Sequence, residues 1–548
     1  MTWPPRVIHN TDGHWIINYQ DRRDPNDIVR PIPVLADAGV DALSVLAGID
    51  DDISWRGSPH AQLFGDHITE WQPDPVPRDI HGHPLKQDQA PHIHGRPIKQ
   101  VGGRQPADAH EFLHLLLDRV IADGHDLMQV YIDGARRSGL PIFAGFRMND
   151  AHACDEARGW YGRSRQKQDR RHLLIGSPVP FGCRHGADWS FSWVWNYAEA
   201  EVRERFLGLF DETLERYDFD GLELDFSRAP PFFRSGEKFA NIPVMTRFME
   251  QARQLVDRRG AEAGRELRLI ARVPAGLGES LEEGLDVETW IREGLTDAVV
   301  LGSPGYCVHE IDVAPAAALG KESGVAVYTG FDTKSYTVSP QEGYEESPAS
   351  VLRATALNGY RDGAAGVHLF NFGYPSHRAA PAASGDFNDF DDYHLRMVAE
   401  LRDPAVLERR NRCYYLPAAA GPDHRPQLPR KLALAGRGAG PEHALRVRVD
   451  DDVEAGLAEG RIARCELRLC LEDCEGAEDR LHLAVNGQRL DPAPDRIVES
   501  RRGRRWRVFE GPPLRQGINT VLVILDGSRT PSPWPRLESC EILLLAPD

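Results

Sequence analysis

The sequence predicts an α/β protein, a (β/α)8 TIM barrel followed by a small all-β sandwich, and three observations predict it. Eight short apolar runs alternate with helix-like segments over roughly the first 400 residues, which is the barrel count. One run, Tyr217 to Arg228, places Leu222, Leu224 and Phe226 on one face and Glu223 and Asp225 on the other, because strand side chains alternate with period two. Beyond residue 430 the helical spacing stops, and short β-type runs separated by turn signals take over.

Each barrel element follows in order. Arg6–Asp12 is the first strand, Pro33–Ala38 a short helix stopped by Gly39, and Asp41–Gly48 the second strand. A loop rich in Pro, His, Gly and Asp runs from about 50 to 106; a loop that long is usually functional, and following a strand it should wall the barrel mouth. A helix is expected over Ala109–Ser138, then a third strand over Leu140–Asp150 with Arg147 and Asn149 turned inward. A second long loop, 151–196, carries Trp160, Tyr161, Trp189, Trp193 and Trp195, which either stack on a ligand or anchor packing. The Val202–Arg216 segment has helical apolar spacing and leads into the acid-bearing fourth strand. Arg268–Pro274, Asp297–Ser303, Gly324–Asp332 and Gly366–Phe372 complete the eight, with Arg272, Tyr328 and Asp332 on inner faces. Helical segments fall at about 243–263, 286–294, 312–322, 347–361 and 391–402. The barrel is therefore expected over 1–415, a Pro/Ala/Gly-rich linker over 416–430 and the sandwich over 431–548, with strands near 445–449, 464–471, 481–485, 505–509, 520–525 and 540–545. The sandwich reads as a structural appendage, with carbohydrate binding or dimerisation as the sharper alternative.

Composition bounds the function. At 548 residues more than one domain is expected, and 41% apolar with 27% charged residues is that of a globular protein. A net charge of −18 argues against a nucleic-acid partner. There is no signal-like start or membrane-length apolar run, and eight scattered cysteines form no disulfide pattern, so a cytoplasmic location with reduced thiols and no membrane partner is expected. A homo-oligomer is compatible with the chain. No Gly-rich phosphate loop and no G-x-S-x-G elbow occurs, and no cofactor is expected. A metal hydrolase would want inward histidines at strand ends; His81-Gly-His83 and His92-Ile-His94 lie instead in the first long loop.

Asn196, then Glu201-Val-Arg203, a helix and Tyr217-Asp-Phe-Asp-Gly-Leu-Glu-Leu-Asp225 resemble the glycosyl-hydrolase-like barrel family that is superficially similar to family 10 xylanases. The run Arg147-Met-Asn-Asp-Ala-His152 is similar to that family's third strand. More distantly, Asp220-Gly-Leu-Glu-Leu-Asp225 resembles the fourth strand of family 18 chitinases, where the catalytic glutamate follows two residues later; here that place is Ser227. The resemblance covers about residues 5–400. It implies hydrolysis of a glycosidic bond in a carbohydrate substrate.

That chemistry needs two carboxyl groups, one protonated and one ionised. By analogy with barrels whose fourth and seventh strands face one another, Asp225 and Asp332 are the expected pair, with Glu223 one layer deeper as an orienter or tuner of Asp225. For both aspartates the alternative is a structural carboxylate holding loop amides. Arg147, Arg228, Arg272 and Lys334 at the mouth serve either as internal ion-pair partners or as receptors for an anionic uronic-acid or sulfated glycan. Asn149, Asp150, His152, Tyr306, Tyr328, Asn371 and His377 complete the expected substrate contacts. The alternatives to a glycosidase are a catalytically silent glycan-binding barrel and a metal-dependent hydrolase.

Overall fold

The computed structural model describes residues 3–64, 92–93, 96–97, 100–101, 106, 109–150, 164–176, 191–302, 311–332, 349–372, 392–417, 442–472, 480–491, 493–499, 505–525 and 536–547. Eight parallel strands close into a barrel: β1 Val7–Thr11, β2 Ala42–Ile49, β3 Ile142–Arg147, β4 Gly221–Asp225, β5 Arg268–Val273, β6 Ala298–Gly302, β7 Ala326–Asp332 and β8 Gly366–Phe370. Neighbouring strands pair in sequence order and β1 pairs with both β8 and β2, which closes the ring. All eight expected strands are present, most of them trimmed by one to four residues at one or both ends, while β2 runs one residue further, to Ile49.

Between them lie α1 Pro31–Ala38, α2 Ala109–Ala122, α3 Leu127–Arg137, α4 Ala200–Arg216, α5 Ile242–Ala263, α6 Val287–Arg292, α7 Val313–Ser323, α8 Ala349–Arg361 and α9 Asp392–Leu401. The single helix expected over 109–138 is two. Gly124 takes a positive φ of 89° that ends α2, and Asp126 caps α3 by accepting from the Met128 and Gln129 amides.

Strand register sorts the barrel interior into layers. Ile8, Ala42, Phe143, Ile270, Ala298, Val300 and Tyr328 form a buried apolar plug towards the amino-terminal ends. Above it the inward residues turn polar: Asn10, Ser44, Glu223 and His368, then Arg147, Asp225 and Arg272. Gly302 and Gly330 are paired in register on β6 and β7, and a Cβ on Gly302 would lie 2.4 Å from the Gly330 carbonyl oxygen, so glycine is required there.

The chain divides into two compact units: 1–304, 312–330 and 363–399 form one, and 305–311, 331–362 and 400–548 the other. In the second, β9 Arg412–Pro417, β10 Glu442–Val449, β11 Arg464–Glu472, β12 Leu481–Val485, β13 Gln488–Leu490, β14 Arg496–Glu499, β15 Arg505–Glu510, β16 Gly517–Leu525 and β17 Arg536–Leu545 build two antiparallel sheets. Their orders are β9-β17-β11-β15-β14 and β10-β16-β12-β13, enclosing a core that includes Leu416, Val447, Leu467, Leu483, Val523 and Ile542. The Asn486-Gly487 signal is a real hairpin turn, both residues at positive φ between β12 and β13. The expected boundary at 415/416 falls within β9, which pairs residue for residue with β17 over Arg412–Pro417.

Candidate functional site

The carboxyl ends of β1 to β4, with β5 and β8, bring together a connected set of charges. Arg147, at the end of β3, is its hub. It donates to Asp12 Oδ2 at 2.7 Å and to Asp150 Oδ2 at 2.8 Å, and the Asp225 carboxyl adds to its field. All three bonded side chains are at least nine-tenths buried. Asn371 holds Asp12 from β8's end: its amide donates to Asp12 Oδ2 at 2.6 Å and its oxygen accepts from the Asp12 backbone N–H. Burial pushes the Asp12 carboxyl up, but Arg147, helped by His14 and Asn371, brings it down to about 2.

Asp225 is where period-two alternation on β4 puts it, inward and 4% exposed. Its Oδ1 accepts from the Ser227 and Arg228 amides at 2.9 and 3.1 Å, and its Oδ2 accepts from Arg272 at 2.8 Å. The Arg272 guanidinium lies 4.0 Å from the centre of the Phe370 ring, so it is clamped between an acid and an aromatic face. Ser227 donates to the Gly302 carbonyl at 3.0 Å and is buried. Both Asp225 oxygens thus have donors, an arrangement that fixes the β4 loop.

Glu223 sits one layer down and is fully buried, with Oε1 accepting from Asn10 at 2.6 Å and Oε2 lying 2.9 Å from His368 Nε2. Burial raises its proton affinity, but His368, Arg272 and Asn10 outweigh this and the carboxyl is lowered overall. Its bonds reach β1 and β8, and it orients the barrel interior through them.

Two residues that sequence reasoning missed complete the site. His368 is one. Asp50 is the other, in the two-residue turn that folds β2 back on Asp52–Ile53. Its φ of 61° is a left-handed conformation that Asp tolerates better than most residues. Asp50 pairs with buried Lys167 and accepts weakly from the Asp150 amide at 3.3 Å, while its Oδ1 is buried without a hydrogen-bond partner. Burial pushes the Asp50 carboxyl up to about 7; Lys167 opposes this, and Asp51 and Asp150 add repulsion. The signal was present as Asp50-Asp51-Asp52 at a strand's carboxyl end, but the run was assigned to the long loop.

The other expected contacts are placed as follows. Tyr328 faces inward, but in the apolar plug, where its hydroxyl donates to the Pro5 carbonyl; parity gave the face and not the depth. Asn149 is fully buried and tied to loop backbone, accepting from the Trp195 amide and donating to the Trp195 and Pro231 carbonyls. Trp193 and Trp195 are buried packing anchors under Arg171 and Arg205. Arg228 contributes its amide to Asp225. His152, Tyr306, Lys334 and His377, with Trp160, Tyr161 and Trp189, lie outside the described residues, as does the side chain of Asp332, although its backbone ends β7. Among the described residues no group of three or more His, Cys, Asp and Glu is placed to hold a metal ion, and no helix is long and apolar enough to cross a membrane.

No protein-family model matches the chain, and no curated protein matches its sequence. Solved structures do. A glycoside hydrolase family 18 chitinase from Chromobacterium violaceum aligns over 99% of this chain and 89% of its own, at 10% identity and a TM-score of 0.37. A class V chitinase from Pseudomonas fluorescens covers 73% of this chain and 99% of its own, at 11% identity and a TM-score of 0.33. A cycloisomaltooligosaccharide glucanotransferase from Paenibacillus covers 98% of this chain, which spans 57% of that enzyme's length, at 10% identity and a TM-score of 0.34. These neighbours act on glycosides. Likeness at such TM-scores says nothing of this chain's own chemistry, and the family 10 resemblance rests on its sequence motif alone.

Proposed function

We propose that the barrel hydrolyses a glycosidic bond in a neutral carbohydrate, using carboxyl groups at its mouth. The observation that carries this reading is a divergence of proton affinity within one charge network: Asp12 is driven down to about 2 and Asp50 up to about 7. Near neutral pH one carboxylate stays ionised while another keeps a proton, which is the combination the reaction needs. Asp50 delivers its proton to the departing glycosidic oxygen as the bond to the anomeric carbon breaks. Asp225, held by Arg272 and two amides, remains the central fixed carboxylate facing the positive charge that develops at that carbon. Water supplies the hydroxyl, and its proton restores Asp50. Asp332, whose backbone ends β7, stays in this reading as the second carboxylate expected with Asp225.

A neutral substrate is favoured over a uronic-acid or sulfated one because Arg147, Arg272 and Lys167 already have carboxylate partners. A glycan-binding barrel without turnover is the second reading, favoured by Ser227 standing buried two residues after Asp225. The deciding experiment is release of reducing ends from a panel of neutral and acidic glycans by the parent and by Asp50→Asn. Turnover of neutral glycans that is lost in the variant is expected. Binding of a glycan without turnover would establish the second reading, and no interaction with any glycan would remove both.

A further inference from the structure

A cavity adjoins the charge network from outside the barrel wall. It lies where the chain leaving β1 and the upper part of β2 meet α2 and α3, and it is a cavity of about 70 Å³, partly open to solvent. Leu113 and Leu117 of α2, Leu127 and Met128 of α3, and Ile16 form its apolar wall, each no more than 8% exposed. Asp12 and Asp52 are its two acids. Asp12 is bonded on its Oδ2 to Arg147 and Asn371, while its Oδ1 is buried without a partner. Asp52 accepts from Gln62 on Oδ1 at 2.7 Å.

We propose that this cavity is a binding site for a small alkyl or aryl alcohol, with its hydroxyl towards Asp12 and Asp52. The inference does not depend on the glycosidase reading, because the cavity's chemistry stands on its own. An apolar wall of this kind favours a hydrocarbon chain, because every methylene it takes out of water adds to the binding. A hydroxyl both donates and accepts, and the two acids offer the complementary pair. Asp12 is an acceptor held down to about 2, and Asp52 is a donor because burial, and after it the Asp51 charge, raises its carboxyl well above the usual range. Asp12 also belongs to the mouth, so an alcohol bound here is adjacent to the residues that would hold the sugar.

The probe is 1-hexanol, titrated into the full-length protein and followed by ligand-observed NMR, with Leu117→Phe and Leu113→Phe as separate cavity-filling variants. Saturable binding to the parent, weakened at least tenfold in whichever variant keeps the parent's circular dichroism spectrum, is the expected result. Asp52→Asn should weaken hexanol at least threefold while leaving hexane unaffected. No saturable binding to the parent, or equal binding to a folded cavity-filled variant, would overturn the proposal. Turnover separates the two readings: hexanol binding with no hydrolysis of any glycoside removes the glycosidase reading and leaves an alcohol site. Hydrolysis with no hexanol binding removes the cavity proposal alone.

Discussion

His368 Nε2 lies 2.9 Å from Glu223 Oε2, joining β8 to β4 across the barrel interior although 145 residues separate them in the chain. Neither side chain is exposed. Removing the charge on one partner leaves the other with a lost bond in a site that water does not reach. Glu223→Gln is therefore expected to destabilise the barrel by about 2–4 kcal/mol, read as a lower urea midpoint. An unchanged midpoint would show that the pair is dispensable for the fold.

Asp225→Asn tests structure and chemistry together. The amide keeps one acceptor for the Ser227 and Arg228 N–H groups but turns a donor towards Arg272, leaving a buried guanidinium without its carboxylate. A loss of about 3–5 kcal/mol is expected, along with a fall in turnover of about 10²-fold or more. Thermal unfolding and activity on one preparation separate the two effects. A less stable variant with parental turnover would confine Asp225 to holding the loop.

Asp50 should set the alkaline limb of the pH–rate profile. Its folded pKa of about 7 means the proton it donates is present below that pH and absent above it, so kcat/KM is expected to fall as pH rises through about 7. Asp50→Asn should lower turnover by about 10²–10⁴-fold and remove the limb from what activity remains. An Asp50→Asn variant retaining both rate and limb would move the proton donor elsewhere.

In the sandwich, Glu541 is buried, accepts from Trp506 and Ser539, and is pushed by burial up to about 7 despite Arg468. The folded state binds this proton more tightly than the unfolded chain, so stability is full below about 4.5 and declines as pH rises to about 7. Glu541→Gln keeps the acceptor oxygen and cannot ionise. Relative to the parent it should gain up to about 3 kcal/mol between pH 4.5 and 8, measured by denaturant unfolding at both pH values. A constant difference across that range would show that Glu541 does not titrate there.

Removing residues 412–548 deletes the sandwich. Helix α8 clusters with that unit, where Arg361 pairs with Asp451 and Asp362 with Arg448. A chain ending at 411 is accordingly expected to unfold at least about 5 °C below the parent rather than to behave as a self-sufficient barrel. Equal melting temperatures would restore the boundary that sequence composition suggests.

What the sequence determined by itself was local and periodic. Period-two alternation placed Glu223, Asp225, Arg147 and Arg272 inside the barrel, and the switch from helical to strand spacing announced the sandwich, because backbone geometry imposes those periods on any chain. Only the tertiary structure decided depth and partnership. Tyr328 faces inward as parity requires, yet it belongs to the apolar plug, since register between strands rather than parity within one fixes the layer. The sequence likewise could not show that Arg272 is matched to Asp225, Arg147 to Asp12 and Asp150, or Lys167 to Asp50. Most of those pairs form between groups distant in the chain, and it is their burial together that sets which carboxyl keeps its proton.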